Sequence, residues 1–291
     1  MKTRGFTLVE MVMVIVILGI ISAVVGLFLR PAMTSYFGTQ RRAGMTDEAD
    51  TALRRMGRDV RSAVPNSIRT PNNQCFELAP TSTGGRYRLA PDTVNGSSMA
   101  LDTTTTTPAF DVLSPMSTTP SAGDIVVVDN QNTDDVYNLV NTATISGVTF
   151  PPTTFPVTAG ISRITLTASK QFPTGYEGGR FVVVPNNGGN PAVFYICSSA
   201  GGALDSQGNA TGVLYRYVHP FVGAYPGACP VVTGATPGVS VVASNVQSCN
   251  FEYNASEGAT QQSGFIWMQL ILTQVNESVS LSYGVHVDNV P

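Results

Sequence analysis

Charge is scarce in this chain. Only 12% of its 291 residues are Asp, Glu, Lys or Arg, and 16 basic residues against 19 acidic ones give a formal net charge of −3. No basic stripe is available to neutralise phosphates, so nucleic acid is not an expected partner. His219 and His286 are the only histidines, and each reads as a strand or loop residue rather than a metal ligand or general base. There is no G-x-S-x-G, no P-loop and no H-E-x-x-H, which leaves no sequence signature of an enzyme and no expected cofactor or metal. No C-x-x-C occurs, so neither a dithiol redox motif nor a zinc knuckle is expected. Internal repeats are also absent. The oxygen-rich stretch Asp129-Asn130-Gln131-Asn132-Thr133-Asp134-Asp135 lacks the spacing of a calcium loop and reads as a solvated turn.

What the chain does have is concentrated at its start. An uncharged, apolar run extends from Met11 to Leu29. As a helix, those nineteen residues span about 28 Å, close to the hydrocarbon thickness of a bilayer. Lys2, Arg4, Gly5 and Phe6 precede the run, and one carboxylate, Glu10, stands at its threshold. A secretory signal places its small-residue cleavage site after the apolar stretch, whereas Gly5 comes before it. An acidic side chain in hydrocarbon costs roughly a few kcal/mol, so Glu10 calls for a compensating partner.

A second helix is expected over Ser35–Val64. Met45, Ala49, Leu53, Met56 and Val60 recur at three- and four-residue steps and define one apolar face. Asp50 and Arg54 form a favourable i, i+4 pair. Pro65-Asn66 is the expected stop. Joined to the apolar run, the two stretches make a helix of about 55–60 residues, with a kink or break expected near Pro31.

Beyond Pro65 the period changes to alternation. Strands are expected at 75–79, 86–89, 124–129, 136–140, 161–168, 180–184, 192–197, 213–218, 239–243, 250–253, 265–273 and 279–287. In the last, Val279, Leu281, Tyr283, Val285 and Val287 share one face. Thr103–Thr107 reads as an exposed, poorly ordered loop. About 260 residues follow Arg30, enough for one large or two small domains. A long helix followed by strands predicts an α+β fold in which the helix packs on a mostly antiparallel β domain. Cys75, Cys197, Cys229 and Cys249 lie in that domain. An even count in a translocated domain predicts two disulfides, with three connectivities open.

The leader, with a short basic stretch, Gly5, Phe6 and then Glu10 at the head of the apolar run, resembles the N-terminus of type IV prepilins and type II secretion pseudopilins. This resemblance implies that a prepilin peptidase cuts between Gly5 and Phe6 and N-methylates the Phe6 amine. Loss of Lys2 and Arg4 then moves the formal charge from −3 to −5. The new α-amine is largely protonated near neutral pH, and in the family it pairs with the glutamate of a neighbouring subunit, here Glu10. The implied divisions are a leader at 1–5, a transmembrane and assembly helix at 6–30, its amphipathic second half at 31–65, and a periplasmic or extracellular β-rich domain at 66–291.

Four further segments, Val64-Pro65-Asn66-Ser67-Ile68-Arg69, Gly84-Gly85-Arg86-Tyr87-Arg88, Ser248-Cys249-Asn250-Phe251 and Val285-His286-Val287-Asp288-Asn289-Val290-Pro291, are similar to minor pilins of the MshO type from mannose-sensitive haemagglutinin (MSHA) pilus biogenesis. The layout also resembles J-type minor pseudopilins of type II secretion. The first resemblance implies a non-enzymatic assembly subunit in a priming or tip complex. It would sit in the inner membrane as a single-pass protein with its C-terminal domain in the periplasm, and then join the pilus. Implied partners are the prepilin peptidase/methylase, other minor pilins and the major pilin, the inner-membrane assembly platform and membrane lipid. A tip adhesin using its Thr- and Asn-rich loops on a glycan, and a membrane-anchored enzyme, are the alternatives from other classes.

Overall fold

The computed structural model describes residue 5 and residues 7–94, 96–174, 178–257 and 263–289. A single helix, α1, spans Leu8–Arg61, 54 residues or about 80 Å at 1.5 Å per residue. Thr7 caps it in an extended conformation, and Glu10 at the third helical position closes a capping box. Contrary to the break expected at Pro31, the helix runs through it. Proline removes one amide donor and crowds the carbonyl four residues earlier, a cost of about 3 kcal/mol, while the ladders on either side remain intact. Thr34 Oγ1 donates to the Pro31 carbonyl at 3.0 Å. The helix stops before the expected Val64, because the Val64 amide donates to the Ala79 carbonyl at 2.8 Å and enters a sheet.

The chain is α+β, as expected: strands follow the helix, and all their pairings are antiparallel. Seven form the larger sheet: β1 (Arg69–Asn72), β2 (Cys75–Leu78), β9 (Ala192–Ser198), β10 (Gly212–His219), β11 (Val239–Glu257), β12 (Ser263–Gln274) and β13 (Glu277–Asp288), adjacent in that order. The second half of α1 lies on β11, β12 and β13. Met45, Ala49, Leu53, Met56 and Val60 are all buried there. The odd-numbered residues of β13 face them, with Val285 and Val287 fully in the core. Gly57 makes the crossing close: a Cβ at that position would come 2.6 Å from the Tyr283 ring.

The smaller sheet holds β3 (Thr83–Arg86), β8 (Arg180–Val184), β5 (Ile125–Val128), β6 (Thr142–Thr149), β7 (Ser162–Lys170) and β4 (Thr107–Val112), in that order. Its ends meet. Tyr87, just past β3, bridges Val112 of β4. Arg88 N–H donates to the Asp111 carbonyl at 2.9 Å, and Leu113 N–H to the Arg86 carbonyl at 2.8 Å. The sheet therefore closes on itself as a small barrel around Phe110, Phe181, Phe172, Ile145 and Ile164. Closure removes open edges that would otherwise template aggregation.

Several expectations fail for identifiable reasons. β1, β4 and β6 were not expected, being short or rich in Thr, Ser, Gly and Pro; their partners, not their propensities, make them strands. The strand expected at 86–89 lies earlier, as β3 over 83–86. The strand expected at 136–140 is a turn, held by Asn138 N–H to the Asp134 carbonyl and Val140 N–H to the Asp135 carbonyl. Its apolar residues Val136 and Tyr137 are buried all the same. The separate strands at 239–243 and 250–253 are one strand, β11. It changes neighbour from β10 to β12 near Asn245, which has φ +53°. The Thr103–Thr107 stretch has a defined shape: Asp102 Oδ1 accepts from both the amide and the hydroxyl of Thr104, and Thr107 is buried at the start of β4.

Cys75 is bonded to Cys229 and Cys197 to Cys249, leaving no free cysteine. The first bond ties the long connection between β10 and β11 to β2, across a sequence separation of 154 residues. The second joins β9 to β11. Unfolded but unreduced protein should therefore label with less than one thiol equivalent. The Cys75→Ser/Cys229→Ser double variant should lose about 2–5 kcal/mol of stability, read by denaturant titration. Labelling of two or more cysteines before reduction would contradict these bonds.

Candidate functional site

The first functional element is the helix start. Glu10 Oε2 accepts from the Thr7 amide and from Thr7 Oγ1, each at 3.0 Å, and the Glu10 amide donates back to Thr7 Oγ1 at 3.4 Å. These short-range bonds orient the carboxylate but bring no cation to it. Gly5 is exposed, and Phe6 lies outside the described residues. From Leu8 to Phe37 the large apolar side chains are exposed, with Leu8 81%, Phe28 77% and Tyr36 67% accessible. A soluble monomer rarely leaves so much contiguous apolar surface uncovered. The helix is long and apolar enough to cross a membrane.

Packing of the helix on the sheet begins abruptly. A Cβ at Gly38 would meet Glu277 Oε1 at 2.9 Å, so the first residue of β13 reaches the helix there. Arg41 holds the same carboxylate at 3.2 Å and Arg42 at 3.8 Å. Nearer the helix end, Asp59 Oδ2 accepts from Tyr195 Oη at 2.8 Å and from Arg216 Nε at 3.0 Å. Burial first, and the adjacent Asp59 carboxylate second, push the Tyr195 phenol up. Glu48 accepts from the Ser244 amide at 2.7 Å. The exposed part is therefore a free apolar rod carried on a helix that is firmly clamped over its second half.

A second constellation was not legible in the sequence. Arg69 on β1 is fully buried. Its guanidinium donates to the Val222 carbonyl at 2.9 Å and the Gly223 carbonyl at 3.2 Å. It also lies 2.6 Å from Asp134 Oδ1 and 3.5 Å from Glu77 Oε2, and stacks over the Tyr137 ring at 3.6 Å. His219, at the end of β10, places Nε2 3.2 Å from Glu77 Oε1 and is stacked between Phe194 and Tyr217. Its residues come from six separate segments, and no local pattern marks them. The arrangement fastens the 222–224 loop to the sheet. His286, by contrast, sits on β13 beside Phe265. The 129–135 stretch is engaged with protein: Asn130 Nδ2 donates to the Pro65 carbonyl, Asp135 accepts from Asn132, and Asp134 serves Arg69. Among the described residues no His, Cys, Asp and Glu group suits a metal ion.

A family model described as the prokaryotic N-terminal methylation motif matches residues 1–26. No curated protein and no solved structure matches the chain. The matched stretch contains Gly5, Phe6, Glu10 and most of the exposed apolar rod. It supports a structural, type IV pilin-like or pseudopilin role, and it implies processing by a prepilin peptidase and assembly with other pilin-type subunits. Together with the apolar helix it supports anchoring in a membrane.

Proposed function

We propose that this chain is a non-enzymatic minor pilin that primes or tips a type IV pilus of the MSHA kind. The observation that carries the reading is the methylation motif set on a helix whose large apolar side chains from Leu8 to Phe37 are exposed among the described residues. Residues 1–5 act as leader, with cleavage between Gly5 and Phe6 and methylation of the Phe6 amine. Residues 6–30 hold the subunit in the inner membrane and later in the fibre, residues 31–65 carry the domain, and residues 66–291 lie in the periplasm and then on the pilus. Glu10 pairs with the methylated amine of a neighbour. The four sequence segments similar to MshO-type proteins support the MSHA assignment over other pili.

A J-type pseudopilin of type II secretion is the second reading, favoured by the size of the β domain on its helix. Neighbouring genes separate the two: pilin genes for the first, a secretin with exported hydrolases for the second. Processing is tested directly. Mass spectrometry of protein extracted from membranes should show a chain beginning at N-methyl-Phe6, and Gly5→Asp should retain the leader. A mature N-terminus beyond residue 22 would show an ordinary signal peptide and overturn the reading.

A further inference from the structure

The barrel closes on itself, but the larger sheet ends in two edges, β1 and β13. β1 is four residues long and contains Pro71, the short, proline-bearing kind of edge that resists pairing with a further strand. β13 is twelve residues long, about 40 Å at roughly 3.4 Å per residue. Nothing along it blunts the edge. It holds no proline, lysine or arginine, and its pairing with β12 runs without a bulge from Glu277 against Gln274 to Asp288 against Ser263.

The hairpin decides which backbone groups are free. Val275 and Asn276 form its two-residue turn, with φ +50° and +59°. Gln274 and Glu277 therefore exchange both hydrogen bonds, and every second residue of β13 does the same with β12. Ser278, Ser280, Ser282, Gly284 and His286 fall between those pairs and turn their amides and carbonyls to the open side. All five are exposed. Among the described residues no backbone hydrogen bond meets them there, and the bonds of Ser278 and Ser280 are made by their hydroxyls. On the helix side, Val279, Leu281 and Tyr283 pack against the core but stay partly open, with no strand beyond them.

A row of donors and acceptors at alternate positions is matched by another extended backbone. Its side chains would alternate, apolar beside Leu281 and Tyr283 and polar beside the serines. A second copy of this chain is a poor occupant. Antiparallel pairing of two β13 edges relates the copies by a twofold axis normal to the sheet. Their apolar rods, each long enough to cross a membrane, would then point in opposite directions.

We propose that β13 is a docking edge, at which a strand of about nine residues from a different polypeptide adds to the larger sheet by main-chain pairing. This goes beyond assembly through the apolar helix and requires neither the leader nor Glu10. It is tested on the full chain in detergent, with the acetylated, amidated peptide Lys-Thr-Val-Thr-Val-Thr-Val-Thr-Val-Thr-Lys and its counterpart N-methylated at every threonine. Hydrogen exchange read at single amides should slow at least about tenfold at Ser280, Ser282 and Gly284 when the first peptide is added. The odd-numbered amides, already bonded to β12, should not change. The N-methylated peptide lacks the donors and should protect nothing. Ser282→Pro removes an amide on the open side only and spares the ladder to β12, so it should keep the near-UV spectrum and lose the protection at Ser280 and Gly284. The N-methylated peptide makes the same test without altering the chain. No protection by the first peptide, equal protection by both, or retained protection in Ser282→Pro would overturn the proposal. A dimer in sedimentation that Ser282→Pro dissolves would also overturn it, in favour of pairing between two copies.

Discussion

Glu10→Ala should leave the chain inserted in the membrane and cleaved, yet cut its incorporation into assembled fibres by at least about tenfold. Glu10 is the only charge between Arg4 and Arg30, and a carboxylate at the head of an apolar run still carries some of the cost of a charge in hydrocarbon. Alanine removes that cost, so insertion improves slightly. Alanine also removes the only feature of the rod that distinguishes one register from another, since the remainder is uniformly apolar. Glu10→Gln keeps the shape and a weaker acceptor and should fall between the two. The capping box offers a control. Thr7→Val abolishes the bonds between Thr7 Oγ1 and Glu10 while leaving the charge, and should cost only about 1 kcal/mol of helix stability. Its incorporation should stay near normal. Immunoblots of sheared pili, together with crosslinking to other subunits, give the readout. Normal assembly of the alanine variant would mean that apolar packing alone drives incorporation.

The second large effect is expected at Arg69. Arg69→Met removes the guanidinium of a buried cluster and leaves Glu77, itself 1% exposed, beside His219 without that partner. Breaking a buried ion pair from one side costs about 3–5 kcal/mol. In a domain of this size that corresponds to a fall in Tm of about 6–20 °C. The Val222 and Gly223 carbonyls lose their donors as well, so the connection between β10 and β11 should become protease-sensitive while Cys75–Cys229 keeps it tethered. Pairing the change with Glu77→Leu should recover part of the loss, because two apolar side chains no longer strand a charge. Limited proteolysis and thermal melts of the detergent-solubilised chain decide it. A fall of under 2 °C for the single variant would mean that the cluster does not organise the domain.

Neither effect has the same visibility in the chain. Glu10 was legible because its surroundings are contiguous: nineteen uncharged residues make a lone carboxylate conspicuous. Arg69 was not, because its partners at 77, 134, 219 and 222–224 meet only after three strands and two loops have folded. The nearest hint is the 129–135 turn, whose acidic residues read as solvated; Asp134 instead turns towards the guanidinium. Histidine was read correctly as a strand or loop residue, but nothing local indicated that His219 would be buried against Glu77.

Sequence alone determined the apolar rod, the lone carboxylate Glu10 at its head, the buried stripe from Met45 to Val60 and the alternating face of β13. Each is a periodic or short-range pattern, set by helical and pleated geometry within a few residues. Tertiary structure decided the rest. Pro31 interrupts nothing because one lost bond is small against an otherwise complete ladder. β4 and β6 become strands because the barrel must close and each backbone amide needs a partner. The choice among three disulfide connectivities, the burial of Arg69, and the open edge of β13 depend on which strands become neighbours. That order arises from non-local pairing energies, to which no stretch of the chain alone gives access.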